Sequence, residues 1–460
     1  MHASRMHRTR TCPQGAPAGP GYAIVCAMVS AHAVHPSPYT PAGWRALPLA
    51  ARRLMAARAL RSIGQGALAV DFVLYLRALG WSVAAVGILF AASALAGAGL
   101  GLLAGPASDR LGRRRFLLGY QALLALGTLV LVLLPTRAVI VTTAVLLGLG
   151  RGANGAAGPF APVEQAWLAQ VVPGPERPRV FSLNGAIGFW GMGLGSLLGS
   201  GVHLWQGLLP GAAAFMPLLG LSLVVAVLNY LQIRGLSEVL PGRSAEGGAV
   251  DLQGALATAP ERELRRHENR ALGLLAAVNA VNALGIGMFS PLLPYWFALR
   301  FGVGPAAIGS VYALAFVLTG LSSLATGELA QRVGLVASVA WVRLVGVALL
   351  VALPLMPAYL PAAVLYVVRS VLNRGTTGAR QAFGVGLVRD GRRGLASSLN
   401  AASQRLPQAV GPAIGGWMLS LGELDLPFFV AAGLQLLYVV LFATVLGPLD
   451  GGSGTTPATS

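Results

Sequence analysis

The chain has 460 residues, 55% of them hydrophobic and only 10% charged, with a formal net charge of +18. A soluble domain carries about 25% charged residues, and here all 33 basic residues are arginine. With no lysine, a Walker-A nucleotide loop, a retinal Schiff base and a pyridoxal phosphate Schiff base are excluded, and with them P-loop pumps, light-driven pumps and pyridoxal enzymes.

In chain order, residues 1–55 hold four of the six histidines, both cysteines (Cys12 and Cys26) and no acid. They read as a disordered tail, or as sequence ahead of a start at Met55; Ala31-His32-Ala33 only faintly resembles a signal-peptide site. A bilayer core of about 30 Å needs roughly 20 apolar residues per helix. Windows of that size predict spans at 57–79, 83–108, 116–135, 138–162, 180–204 and 212–233, then at 271–297, 306–328, 337–357, 361–383, 395–420 and 427–447. The expected fold is an all-α integral membrane protein of twelve transmembrane helices in two six-helix bundles, 56–233 and 271–448. A solvated linker at 234–270 joins the bundles, and a tail at 449–460 follows. Thr258, Pro260 and Glu261 predict a helix start inside the linker.

The arginines follow this topology. With the N-terminus inside, sixteen fall in cytoplasmic connections and three, Arg77, Arg137 and Arg300, in external ones. That positive-inside bias puts both termini in the cytoplasm. It accounts for most of the net charge without nucleic acid.

The bundles are related by duplication. An offset of 222 carries Gly80 and Gly87 onto Gly302 and Gly309, and Gly105, Arg110 and Gly112 onto Gly327, Arg332 and Gly334. An offset of 216 carries Gln165-Ala166-Trp167 onto Gln381-Ala382-Phe383, Asn184 onto Asn400, and Gly195 and Gly199 onto Gly411 and Gly415. Duplicated halves imply a midplane site between them, reached alternately from either side.

After the second span comes Gly105-Pro-Ala-Ser-Asp109-Arg110-Leu-Gly112-Arg113-Arg114-Arg115. This resembles the signature loop of the major facilitator superfamily, in the connection where that family carries it. Asp109 can accept bonds from neighbouring arginines or face the positive end of a facing helix. The resemblance implies a conformational latch of Gly105, Asp109, Arg110, Gly112, Arg113 and Arg114 that holds the cytoplasmic ends together in the outward-facing state. The second-half copy has Gln331 in place of the acid, so a latch there is weaker. Arg151-Gly-Ala-Asn-Gly155 is similar to an arginine-glycine motif of proton-coupled members of the family. The glycine-dense run from Gly188 to Gly199 and Gly411-Pro412-Ala-Ile-Gly415-Gly416 resemble the antiporter motif. Pro291-Leu-Leu-Pro294 resembles a drug-exporter pattern displaced to the second half.

Ionisable residues inside spans are costly and mark function. Asp71 leads the candidates for a proton site, with Arg151 and Glu164. Substrate-cavity candidates are Asn279, Asn282, Arg369, Asn373, Arg374, Gln404, Arg405 and Gln408; Arg369 with Arg405 suggests a basic cavity for an anionic or amphiphilic solute. Glu328 and Arg343 read as lying near span ends. Neither His-Glu-x-x-His nor a serine–histidine pair occurs in the spans, so a membrane enzyme is not expected, nor a metal or cofactor. The expected function is secondary transport by alternating access, as proton-coupled efflux of a hydrophobic or drug-like compound by an antiporter monomer in the cell membrane. The expected partners are a small-molecule substrate, protons and lipid, and no nucleic acid. Proton-coupled uptake of an anionic metabolite and a non-transporting receptor on the same fold are the alternatives.

Overall fold

The computed structural model describes residues 47–150, 160–173, 176–237, 259–333, 335–375 and 393–446. Its helices all lie in one compact unit, Pro48–Ser460. The first half comprises α1 (Leu49–Ala78), α2 (Val83–Leu111), α3 (Arg113–Leu133), α4 (Arg137–Thr142), α5 (Phe160–Val171), α6 (Arg177–Ser200) and α7 (Met216–Arg234). The second comprises α8 (Ala259–Phe289), α9 (Leu293–Phe301), α10 (Pro305–Val333), α11 (Leu335–Ala352), α12 (Tyr359–Gly375), α13 (Arg393–Ser420) and α14 (Leu426–Leu441). Pairing α4 with α5 and α8 with α9 gives twelve crossings. Among the described residues, seven helical stretches are long and apolar enough to cross a membrane. Three boundaries move outward by eight residues or more: α1 begins at Leu49, ahead of the expected 57, α5 runs to Val171, past the expected 162, and α8 begins at Ala259, inside the expected linker.

Two crossings are broken, each for a readable reason. In the fourth, α4 passes into a wide π-type turn at Thr143–Leu147, and Gly148 and Gly150 follow with φ of 76° and 72°. Freed carbonyls in a membrane helix need donors. Ser93 donates to the Ala144 carbonyl at 2.5 Å and Tyr120 to that of Leu147 at 2.8 Å. In the seventh, the Pro291-Leu-Leu-Pro294 run separates α8 from α9, since proline can neither donate into a helix interior nor fit there easily.

Connections are short where a cap or a glycine permits. Ser82 accepts from the Ala85 amide at 3.3 Å to start α2. The expected loop 109–115 shrinks to a single residue. Helix α2 runs on through Leu111, and Gly112, with φ 88°, both ends it and starts α3. Positive φ is needed only there, so Gly105 stays helical.

One end of the molecule, marked by Asp109–Arg115, is rich in arginine; the other is not. Within the halves, α1 packs on α6 and α8 on α13. Both crossings rest on the duplicated glycines: Gly195 and Gly199 lie against the α1 backbone at Ile63 and Ala67, while Gly411 and Gly415 lie against Gly287 and Met288 of α8. Small residues at such contacts let backbones approach closely. The halves meet along α2–α13 and α6–α10. At the arginine-poor end Gly87 of α2 abuts Pro412 and Gly416 of α13, and Arg77 of α1 sits 5.6 Å from the Tyr295 ring of α9. Gly105 lies about five turns further along the same face of α2 as Gly87, yet a Cβ there would meet nothing within 4 Å. The two helices are closed together at the arginine-poor end, and their contact runs on to Gly101 of α2, which meets Arg405 of α13.

Candidate functional site

Asp71 sits two turns before the arginine-poor end of α1 and is 1% exposed. Neither carboxylate oxygen has a hydrogen-bond partner among the described residues. It faces Gly199 of α6, where a side chain of any size would overlap Oδ2. A buried carboxylate left without a cation or a hydrogen-bond donor is costly. The α1–α6 crossing therefore encloses an acid with no counter-charge among the described residues.

Glu164 on α5 is a different kind of acid. Arg61 of α1 donates to Oε2 at 2.6 Å and Asn184 of α6 to Oε1 at 3.3 Å. The guanidinium of Arg61 also stacks 3.8 Å from the centre of the Phe160 ring. A fully buried pair of this kind holds three helices in register, because removing either charge strands the other. Asp71 and Arg61 are ten residues apart on α1, about 15 Å along the axis. The two acids therefore occupy separate sites rather than one. Arg151, the third proton-coupling candidate, lies outside the described residues. Arg58, one turn before Arg61, also belongs here: its Nε is buried against Gly188 of α6 without a hydrogen-bond partner. Neither Arg58 nor Arg61 is among the sequence-derived candidates. Their signal was an i,i+3 pair of arginines at the edge of an apolar span, facing a lone acid on another span.

In the second half Arg343 corrects an expectation. It is 2% exposed in the middle of α11, where it donates to the Asn282 side chain at 3.4 Å and to the Asn373 carbonyl at 3.5 Å. Arg369 donates to the Gly346 carbonyl at 3.2 Å and to Gln435 at 3.0 Å, and lies 4.6 Å from the Phe289 ring. Those bonds tie α12 to α11 and α14 inside the second bundle. Arg405 instead lies against Gly101 of α2 and is exposed, so the expected pairing of Arg369 with Arg405 in one basic cavity is not how each is held. Arg374 reaches across the interface, 5.0 Å from the Phe316 ring of α10 and 5.5 Å from the Phe189 ring of α6, within cation–π range. Asn279 donates to Asn400 at 2.8 Å and Gln404 to the same oxygen at 3.1 Å, linking α8 to α13. Asn400 is the duplicate of Asn184, so each half turns an amide from the same position into its bundle. Gln408 contributes its backbone, packed on Gly287.

At the basic end Asp109 pairs with Arg113 at 3.5 Å, four residues on. Arg114 donates to the Arg234 carbonyl at 2.8 Å and Arg53 to that of Gly235. Cations there complete the negative end of α7. The signature residues thus tie α2, α3 and α7 together. Among the described residues no group of three or more metal-ligating side chains occurs.

Comparison with known proteins agrees with this architecture. No match is found among curated proteins. Solved structures of similar fold include the human organic anion transporter MFSD10 (TETRAN), at 18% identity and TM-score 0.57, covering 85% of this chain and 99% of that one. An autoinhibited POT family peptide transporter gives 16% and 0.67, covering 90% and 99%. The D-xylose-proton symporter gives 12% and 0.65, covering 86% and 97%. At such identities the likeness shows the fold. A family model described as Major Facilitator Superfamily matches residues 54–272 and again 275–459, one match to each half. The chain is a multi-pass membrane protein that belongs to the Major Facilitator Superfamily of secondary transporters.

Proposed function

We propose that this chain is a proton-coupled exporter of hydrophobic, drug-like solutes, working as a monomer in the cell membrane with its basic end and both termini inside. The observation that carries the coupling is Asp71, buried, without a hydrogen-bond partner among the described residues, and held at the α1–α6 crossing. Rocking of the first half against the second exposes it to one side of the membrane at a time. The latch residues Asp109 and Arg113 supply the charge that re-forms contact with the second half when the basic end closes. The orientation rests on the sixteen-to-three arginine bias.

The second reading, uptake of an anionic metabolite, draws its support from Arg374 between Phe189 and Phe316. Flux in proteoliposomes under imposed pH gradients of either sign separates the two. Export predicts that a panel of hydrophobic solutes moves against the proton gradient; movement only of small anions, and only with the protons, supports uptake. No flux with any solute under either gradient contradicts both readings and leaves a receptor role.

A further inference from the structure

The polar cluster at the basic side of the first bundle does not balance its charge. Arg58 and Arg61 lie one turn apart on α1, and one acid, Glu164, faces them. Arg61 takes that acid as an ion pair at 2.6 Å, and Asn184 takes its other oxygen at 3.3 Å. No ion pair to Arg58 occurs among the described residues, although its Nε is buried. The other acid of α1, Asp71, is thirteen residues away, about 20 Å along the helix. What stands opposite Arg58 is Gly188, whose missing side chain leaves the guanidinium room: a Cβ there would come 2.8 Å from Nε. The next two residues of α6 turn to other faces of the helix: Phe189 is the ring that Arg374 of the second half approaches, and Trp190 lies against Gly320 of α10. A guanidinium at the margin of an apolar span, its Nε buried and without its own carboxylate among the described residues, offers a place for an anion from outside.

We infer that Arg58 is the docking point for the anionic group of the transported solute, an organic anion. The Arg61–Glu164 pair is the fixed wall of the site. Arg58 offers planar, paired donors to a carboxylate, sulfonate or phosphate head. Binding brings the local count to two guanidiniums and two anions. This deepens the transport reading above, on which it rests, by naming the class of solute.

The test is equilibrium binding to the purified full-length protein in neutral maltoside micelles, with 2-naphthoate and its uncharged isostere 2-naphthamide as probes. Wild type binds naphthoate in preference to the amide. Arg58→Gln weakens naphthoate binding on the order of tenfold or more, the scale of a lost charged hydrogen bond. Arg58→Lys keeps part of it, since charge remains without the fork. Gly188→Ala also weakens it, by crowding the guanidinium while leaving every charge in place, and carries the test if Arg58→Gln fails to fold. Equal naphthoate binding by wild type and Arg58→Gln, no preference for the acid over the amide, or no naphthoate binding by wild type each overturns the assignment. Naphthoate bound through Arg58 with no flux under any pH gradient instead contradicts the exporter reading and leaves this site standing.

Discussion

Gly199 of α6 faces Asp71 of α1 so closely that a single methyl group at position 199 would occupy the place of the carboxylate oxygen. The same glycine lies 3.2 Å, measured from that added carbon, from the Ala67 carbonyl. The acid and the tightest part of the helix crossing are one feature, and anything that separates α1 from α6 also uncovers Asp71.

Gly199→Ala tests that coupling of packing to chemistry. Overpacking a tight contact costs about 1–3 kcal/mol, so a melting temperature lower by a few degrees is expected. Its duplicate, Gly415→Ala, crowds the Met288 backbone in the same way but faces no acid. Both variants should lose stability in thermal melts, and only Gly199→Ala should also alter pH-dependent transport. Equal transport defects in the two would show that the crossing matters and the acid does not.

The Arg61–Glu164 pair predicts strong non-additivity. Glu164→Ala leaves Arg61 buried without its ion pair, costing on the order of 3–5 kcal/mol. Replacing both by leucine removes the stranded charge and should recover most of the loss. A double-mutant cycle by thermal denaturation checks this. Additive losses would mean the two groups act independently despite their 2.6 Å contact.

Asp109 should affect turnover far more than stability. Its side chain is 56% exposed and among the described residues pairs only with Arg113, and pairs of that kind contribute within about 1 kcal/mol. Asp109→Asn is expected to melt within a degree or two of wild type. It should spend more time open at the basic end, read as faster labelling by a membrane-impermeant maleimide of a cysteine placed at Gly105, where nothing crowds the position. Unchanged labelling together with unchanged transport would remove the latch role.

Much of this architecture is written in the sequence because hydropathy reports depth. The twelve crossings follow from it, and the 216-residue offset that aligns Gly195 and Gly199 with Gly411 and Gly415 proves to be the same helix crossing built twice. Depth, however, is not direction. Helices that are apolar all round carry little amphipathic signal to say which face turns inward. That is why Arg343 reads as a span-end residue and is found buried mid-helix, and why Arg369 and Arg405 read as one cavity and are held apart by different partners. Arg58 and Arg61 escape notice for a related reason. At the margin of a span an arginine looks like a topology signal, and only the placement of Glu164 and Gly188 gives the two their separate roles.

The interface glycines predict how the molecule is trapped. Gly87 touches Pro412 and Gly416 across the halves, so Gly87→Trp should wedge the arginine-poor end open. Spin labels at Ser82 and Glu423 are expected to show a longer mean separation in this variant than in wild type, with transport abolished. An unchanged distance distribution would mean that the α2–α13 contact does not gate that end.

The central claim is that transport draws on protons through Asp71, and exchange compared with gradient-driven uptake tests it most directly. In proteoliposomes, Asp71→Asn should retain exchange of labelled for unlabelled solute, because the rocking motion and the solute site remain. It should lose accumulation driven by an imposed pH gradient. Accumulation by Asp71→Asn at the wild-type rate and with the wild-type dependence on the gradient would contradict the account.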